Sequence, residues 1–207
     1  MAFPELVVFA EECAAADQTL ALVVAEQWDW AGLGEWTIAE LVAHMVRGVT
    51  RIAELDLDPK ETPAFDRVSY FEYDARQVSP EVAERARRDA RKVAAASLPA
   101  LFASGWRSSM ERAGTLSPEH AVTTIRGPMR LDEYTATRVV EVVVHHMDLR
   151  MALDQPPAPT PAAGRLVMDV LEGLLGSPRP RNMGRTRFIL TATGRIASTD
   201  SRFPVLR

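Results

Sequence analysis

The stretch from Arg138 to Asp148 constrains the fold of this chain more than any other segment. Because an α-helix turns by about 100° per residue, the stretch would place four polar residues on one narrow stripe of a helix. These residues are Arg138, Glu141, His145 and Asp148. Apolar residues, mostly valine, cover most of the remaining circumference. The stretch therefore predicts an apolar helix that carries one concentrated band of polar groups.

That polar band has two interpretations. A polar stripe on an otherwise apolar helix is usually the face that meets solvent. However, His146 and Arg150 form a second polar strip on nearly the opposite side of the same helix. If His146 and Arg150 face water, the first stripe points inward, where charges must be paired or bind a metal. The spacing alone leaves a solvent face and a metal site open.

Glu141 and His145 are four residues apart, so their side chains would converge as two ligands of one metal ion. A third ligand from another helix would complete an open catalytic site, and His44 is the candidate. A lone histidine beside an apolar helix face is more often a core residue, so His44 depends on the other two for its interpretation. Two imidazoles and one carboxylate favour zinc, although nickel or iron would accept the same ligands.

The helix that would carry His44 has a clear starting signal. Thr37 followed by Glu40 is the pattern of a capping box, which predicts a helix from about residue 38. The apolar residues of this segment recur with helical spacing, and His44 flanks their face.

Two segments together resemble the mycothiol-dependent maleylpyruvate isomerase branch of the DinB/YfiT-like superfamily. The first is WTIAELVAH, which ends at His44, and the second is the Arg-x-x-Glu-x-x-x-His-x-x-Asp pattern of residues 138–148. The resemblance covers roughly residues 1–155. It implies a metal site of one histidine from the first motif with the glutamate and histidine of the second. Matched residue by residue, these ligands are His44, Glu141 and His145.

The other two members of the polar stripe are candidates for supporting roles. Asp148 could orient His145 or His44 through a hydrogen bond, and Arg138 could hold Glu141 or a substrate carboxylate. A plain ion pair with each other or with neighbouring residues is an equal alternative for both. No catalytic residue is therefore assigned from the sequence.

The sequence predicts a mainly α protein: a DinB-like four-helix bundle with a crossover connection and a small C-terminal α+β appendage. Four long helices are expected, over about 4–27, from about 38, over 79–113 with a break near Pro99, and over 132–153. The connection over 56–78 is long enough for a crossover, and residues 121–126 read as a short strand. An arrangement other than simple up-and-down is expected.

A proline-rich segment from Asp154 to Pro161 predicts the domain boundary, with a metal-binding bundle over 1–155 and an appendage over 156–207. Within the appendage, residues 162–175 have helical spacing, whereas 187–193 and 202–206 are interpreted as strands. Arg195 belongs to an arginine-rich tail that could recognise carboxylates, although such arginines usually only interact with solvent.

Composition narrows the class of protein. The net charge of −4 argues against a nucleic-acid surface. The N-terminus lacks a basic segment before its apolar residues, and no apolar run is long enough for a membrane, so we expect a cytoplasmic protein. Cys13 is the only cysteine, which excludes an intramolecular disulfide, and it is expected to be buried and non-catalytic.

Three functions compete at this stage. The resemblance favours a metal-dependent, mycothiol-dependent enzyme whose partners are a small-molecule thiol and an electrophilic substrate. S-transfer is preferred to cis–trans isomerisation, because the C-terminal region is shorter than the second domain of full-length family members. The alternatives are a metal- or small-ligand-binding module without turnover, and a metal-assisted hydrolase. The sequence does not indicate an oligomeric state.

Overall fold

The protein is described by a computed structural model that covers residues 2–56, 62–72 and 75–206, with only the backbone described for residues 75–80. Parts of the predicted crossover, including Pro59 and Tyr73, therefore lie outside the described residues. The helices are α1 (Pro4–Leu20), α2 (Ile38–Thr50), α3 (Ala75–Ala90), α4 (Leu98–Gly114), α5 (Leu131–Ala152), α6 (Pro161–Leu175) and α7 (Arg185–Ala192). Two antiparallel hairpins pair β1 (Ala31–Leu33) with β2 (Trp36–Thr37), and β3 (Ala121–Thr124) with β4 (Gly127–Arg130).

Helices α1, α2, α4 and α5 form a four-helix bundle. Helix α1 packs chiefly against α4 and α5, and α2 packs against the same two helices. The consecutive helices α1 and α2 thus occupy opposite corners, whereas an up-and-down bundle would make them neighbours. This confirms the expected departure from up-and-down topology, and α3 packs on the outside of the bundle against α2.

Helix α2 begins where its capping box predicts. The Thr37 hydroxyl accepts a hydrogen bond from the Glu40 amide at 3.2 Å, and the Glu40 carboxylate accepts one from the Thr37 amide at 3.0 Å. These two bonds satisfy amide groups that have no partner inside the first turn. The cap therefore fixes the start of α2, and with it the position of His44 two turns into the helix.

Helix α5 is buried on nearly every side because α1, α2 and α6 all pack against it. A helix that is apolar around most of its circumference requires such a central position. The condition under which the polar stripe was expected to point inward, a water-facing His146, is not met, since His146 is 1% exposed and contacts polar groups of α1. Arg150 lies at the end of α5, where its Nε donates a hydrogen bond to the Pro156 carbonyl at 2.8 Å.

The predicted third helix is divided into two helices, which confirms the break expected near Pro99. Helix α3 begins earlier than expected and ends at Ala90, and α4 starts at Leu98 after a short 3₁₀ turn over Ala95–Ser97. Pro99 lies in the first turn of α4, where its missing amide hydrogen costs nothing. A single continuous helix would have placed the proline ring against the carbonyl one turn earlier.

The C-terminal part is helical throughout its regular structure. Helix α6 confirms the helix predicted over 162–175, and its cap Gly176 has a φ of 69°, which glycine adopts without strain. The strand predicted over 187–193 is wrong, because this segment lies largely in α7. Five consecutive residues of α7, from Phe188 to Ala192, are buried. A helix satisfies its own backbone groups in that apolar environment, whereas a lone strand would leave them unpaired.

The second predicted strand, over 202–206, is also wrong: this segment contains a turn and a bend and belongs to no sheet of the described residues. Its backbone instead pairs with the end of α7, where the Val205 amide donates to the Ala192 carbonyl at 2.9 Å. Side chains of α6 and α7 belong to the same hydrophobic core as the bundle. A domain boundary at the proline-rich segment stays a prediction.

Two smaller expectations can be compared with the structure. Cys13 is fully buried in α1, as predicted. Of the helices in the described ranges, none combines the length and apolar character that a membrane crossing requires.

Candidate metal centre

The three predicted metal ligands lie together at the contact between α2 and α5. Glu141 Oε2 is 3.7 Å from the Nε2 atoms of both His44 and His145. The two imidazole rings meet edge to face, with their centroids 4.8 Å apart. One donor atom from each residue lies within 4.8 Å of the other two, so the triad predicted from two distant motifs forms one cluster.

The chemistry of this cluster fits a divalent metal ion. Ligand atoms about 2.0–2.1 Å from a tetrahedral zinc ion would be roughly 3.4 Å from one another, close to the observed 3.7 Å. The side chains of His44, Glu141 and His145 are 18%, 28% and 13% exposed, so one side of the cluster stays accessible. Three protein ligands with an open side correspond to catalytic rather than structural zinc sites.

The protonation states also suit metal binding. Burial lowers the pKa of His44 and outweighs the opposing effect of Glu141, which favours the neutral imidazole. Burial raises the pKa of Glu141, but its contact with His44 and the positive charge of Arg138 outweigh burial and hold that pKa well below the usual range. A neutral imidazole and an ionised carboxylate are the forms that coordinate metals.

Asp148 contacts His145 and so fixes which nitrogen of that ring faces the cluster. Asp148 Oδ2 lies 3.0 Å from His145 Nδ1, which leaves Nε2 directed toward Glu141. A carboxylate behind a ligating histidine commonly sets the tautomer and orientation of the ring. Of the two histidines that the sequence offered as partners for Asp148, the structure pairs it with His145.

Arg195 completes this arrangement; the sequence named it only as part of an arginine-rich tail and did not connect it to Asp148. Its Nε lies 3.0 Å from Asp148 Oδ1 and its Nη2 lies 2.8 Å from Oδ2, a two-point ion pair with a carboxylate that is 1% exposed. Burial raises the pKa of Asp148. The bonds of its carboxylate to His145 and Arg195 have a larger, opposite effect, so the pKa of Asp148 is lower than usual. A buried aspartate on an apolar helix signals a cationic partner, but the sequence does not identify which arginine supplies it.

Arg138 lies close to the triad, where it is held by aromatic residues. Its guanidinium carbon is 4.9 Å from the centroid of the Tyr134 ring and 5.6 Å from that of Tyr70. Its Nη2 also donates a hydrogen bond to the Tyr70 hydroxyl at 3.3 Å, and its Nε donates to Thr137. Arg138 is only 7% exposed, so its charge influences Glu141 through a poorly solvated environment.

The triad opens into a cavity of about 670 Å³. Its walls come from α2, α3, α5, the β1–β2 hairpin and the segment after α7 that contains Arg195. Trp36 forms part of the wall, and its ring centroid is 5.2 Å from that of His44. A cavity of this size accommodates small organic molecules. The predicted ligands therefore lie where a substrate could reach them.

The fold and the site together define a class: a four-helix-bundle protein with an open triad of residues that could hold a metal ion, beside a cavity. Residues 9–150 match the family model described as the Mycothiol maleylpyruvate isomerase N-terminal domain, so the chain belongs to that family. This confirms the resemblance seen in the two sequence motifs.

Two solved structures are similar to this protein. A crystal structure of the mycothiol-dependent maleylpyruvate isomerase matches with a TM-score of 0.58 and 18% identity, over 83% of this chain and 68% of that chain. A histidine-to-alanine mutant with the same name matches with a TM-score of 0.57 and equal identity and coverage. At this identity the likeness shows the fold alone. No curated protein matches the chain.

Proposed function

We propose that this protein is a metal-dependent enzyme that uses mycothiol to transform a small electrophilic substrate. The observation that carries the proposal is the open triad of His44, Glu141 and His145, in a family named for a mycothiol-dependent isomerase. These three residues would hold a divalent ion. Zinc is favoured by two imidazoles and one carboxylate, and nickel or iron would tolerate the same ligands.

A divalent ion in this position supplies positive charge that favours the deprotonated form of a thiol. Neighbouring residues of the chain would hold the metal ligands in position. Asp148 would keep His145 in one tautomer, and Arg195 would hold Asp148 in place. The cavity walls would limit access of water to the reacting groups.

The thiol would have to come from outside the protein. Cys13 is the chain's single cysteine and is fully buried in α1. Burial and the nearby Glu12 charge raise the pKa of its thiol well above the ordinary value, so it stays protonated at neutral pH. A small-molecule thiol such as mycothiol is therefore the candidate nucleophile.

Two reactions would begin with the same step, in which the thiolate sulfur forms a C–S bond with an activated double bond and the electron pair moves to the activating carbonyl. Rotation about the former double bond, followed by cleavage of the C–S bond, would release the cis–trans isomer and the thiolate. Proton uptake without C–S cleavage would instead leave the S-conjugate. Isomerisation is tested first, because the family and both similar structures are named for it.

The experiment is an assay of metal-loaded protein with maleylpyruvate and with a panel of other electrophiles, each with and without mycothiol. We expect turnover that requires the thiol and that is abolished by His44→Ala. His120→Gln is the matched control, since this histidine lies outside the triad at the start of the β3–β4 hairpin. Turnover without thiol would favour a hydrolase. Thiol binding without any turnover would favour a binding module.

A further inference from the structure

The cavity beside the triad extends along α2, well beyond the candidate metal ligands. His44, Arg47, Gly48 and Arg51 all line it, a spacing that places them on one face of the helix. With a rise of about 1.5 Å per residue, the Cα atoms of Arg47 and Arg51 lie about 5 Å and 10 Å along the axis from that of His44. We call the part of the cavity lined by Arg47, Arg51 and Arg85 the arginine arm.

Helix α3 forms the opposite wall of the arginine arm with mostly small side chains. Val82, Ala83 and Ala86 line the cavity from this helix, together with Arg85 and Asp89. On the α2 side, a Cβ atom added to Gly48 would meet no other atom within 4 Å. The space between the two helices is therefore open, and a ligand could extend into it from the triad.

Among the residues that the structure describes, guanidinium groups outnumber carboxylates in the lining of the arginine arm. Its lining includes three guanidinium groups and one carboxylate, Asp89. The Arg47 Nη1 and Asp89 Oδ2 atoms are 3.8 Å apart, beyond hydrogen-bonding distance, and Asp89 also bonds to Lys92 at 2.9 Å. Burial lowers the pKa of Arg47, and the neighbouring charges of Arg51 and Arg85 add to this effect.

The remaining partners of these arginines lie toward solvent. Arg51 pairs with Glu54, which is 54% exposed, and Arg85 pairs with Glu81, which is 74% exposed. Exposed ion pairs of this kind contribute little free energy, so an incoming anion could replace them at small cost. At the triad end of the cavity the lining arginines Arg138 and Arg195 lie with Glu141 and Asp148, whose carboxylates are less exposed than those of Glu54 and Glu81.

We propose that the arginine arm binds an oxyanion group of the substrate, a carboxylate or a phosphate, while the reacting end of that substrate lies at the triad. Guanidinium groups suit this role because their planar donors match the geometry of both oxyanions. The assignment of the bound anion to a substrate rests on the proposed function, whereas anion binding itself does not require a metal or a thiol. The arm would thus select substrates by a charge located away from the reacting atoms.

Binding can be measured without the enzymatic reaction. We would titrate metal-free protein with glutarate and with inorganic phosphate at low ionic strength, where exposed charges are least screened. We expect binding of at least one probe, and Arg47→Gln or Arg51→Gln should weaken it by about 10-fold or more. The probe that binds more tightly, glutarate or phosphate, identifies the oxyanion that the arm prefers.

Two further variants separate a specific site from general attraction. Arg91→Gln removes an equal charge just beyond α3 at a residue that does not line the cavity, so it should leave binding unchanged. Gly48→Phe would fill the arm without changing its charge, so it should abolish binding. Equal weakening by Arg91→Gln and Arg51→Gln, or no binding of either probe up to about 10 mM, would overturn the proposal.

The role of the arm in substrate selection needs a separate test with metal-loaded protein. For an electrophile with a remote acid and for its neutral ester, Arg51→Gln should raise the KM of the acid and leave the KM of the ester near the wild-type value. Equal effects on acid and ester would overturn this role. An absence of thiol-dependent turnover would contradict the proposed function instead, and the anion titrations would still decide whether the arm binds.

Discussion

His145 and His146 are adjacent in the sequence, yet they belong to two different kinds of glutamate–histidine network. His146 is buried between α5 and α1, with Nδ1 2.7 Å from Glu12 Oε1 and Nε2 2.8 Å from the Thr19 hydroxyl. His145 is bonded through Nδ1 to Asp148, and its Nε2 lies 3.7 Å from Glu141 beside the cavity.

The two networks differ in how many of their donor atoms remain available to a ligand. Both nitrogens of His146 are occupied by protein groups, and both Glu12 oxygens are as well, since Oε2 accepts a hydrogen bond from the Thr160 amide at 2.8 Å. The His145 network instead leaves Nε2 near an accessible carboxylate. A closed network of this kind stabilises the fold, whereas an open one can bind a ligand.

The largest effect that would test this comparison is on folding. His146→Ala would leave the Glu12 carboxylate buried without its main partner, which should lower the free energy of unfolding by about 3–5 kcal/mol. Metal affinity should not change. Denaturant unfolding of metal-free protein measures the loss, and a cost below about 1 kcal/mol would show that the closed network is not a major source of stability.

Substitution of the neighbouring residue, His145, should have the converse effect, a large loss of metal affinity. His145→Ala should weaken metal binding by more than about 100-fold, because even partners behind a ligand contribute about 10–100-fold. The metal-free protein should lose less stability than in His146→Ala, since Asp148 keeps its ion pair with Arg195 when its bond to His145 is lost. Elemental analysis and competition with a chelator measure the affinity, with His120→Gln as control. Unchanged affinity in His145→Ala would refute the candidate metal centre.

A smaller effect on metal affinity is expected from Arg195, which contacts Asp148 behind the candidate ligand His145. Arg195→Gln removes the charge that holds Asp148, so it should weaken metal binding by about 10-fold to 100-fold. Arg195→Lys should restore part of this affinity, because it returns the charge but not the two-point contact. If the glutamine variant binds metal as tightly as wild type, Arg195 has only a structural role.

The smallest effect is on the pH dependence of the free energy of unfolding. The pKa of Asp148 is lower in the folded protein than its usual value, so between these two pKa values the unfolded chain binds more protons. Asp148 therefore contributes stability above about pH 4 that is lost as the pH falls further. Metal-free Asp148→Asn should show a shallower decline in the free energy of unfolding over this range. An unaltered pH slope would contradict this role for Asp148.

Local signals in the sequence predicted much of the fold and the triad itself. The capping box of Thr37 and Glu40 involves residues three apart, and its hydrogen bonds form as expected. The Glu141–His145 spacing likewise depends only on helical geometry. His44 was a candidate third ligand from its residue type alone, and the family resemblance supported it, since no local rule connects it to a helix about a hundred residues away.

The missed features depend on contacts between distant segments. The burial of His146 was not foreseen, because helical periodicity does not show which elements cover each face of α5, and Glu12 of α1 lies opposite it. Arg195 was one of many arginines until the fold placed it against Asp148. The segment 187–193 was interpreted as a strand from its β-favouring residues, but burial in a helical environment overrode that local preference.

The hydrogen bond from Thr160 to Glu12 has a consequence for the integrity of the chain. Thr160 caps the beginning of α6, so this bond ties the C-terminal helices to α1, and Arg195 ties them again to α5. A protease that nicked the partly exposed segment after Asp154 would cut one covalent link and neither of these attachments. The two fragments should then co-purify as a non-covalent pair and retain a complete set of side chains around the triad.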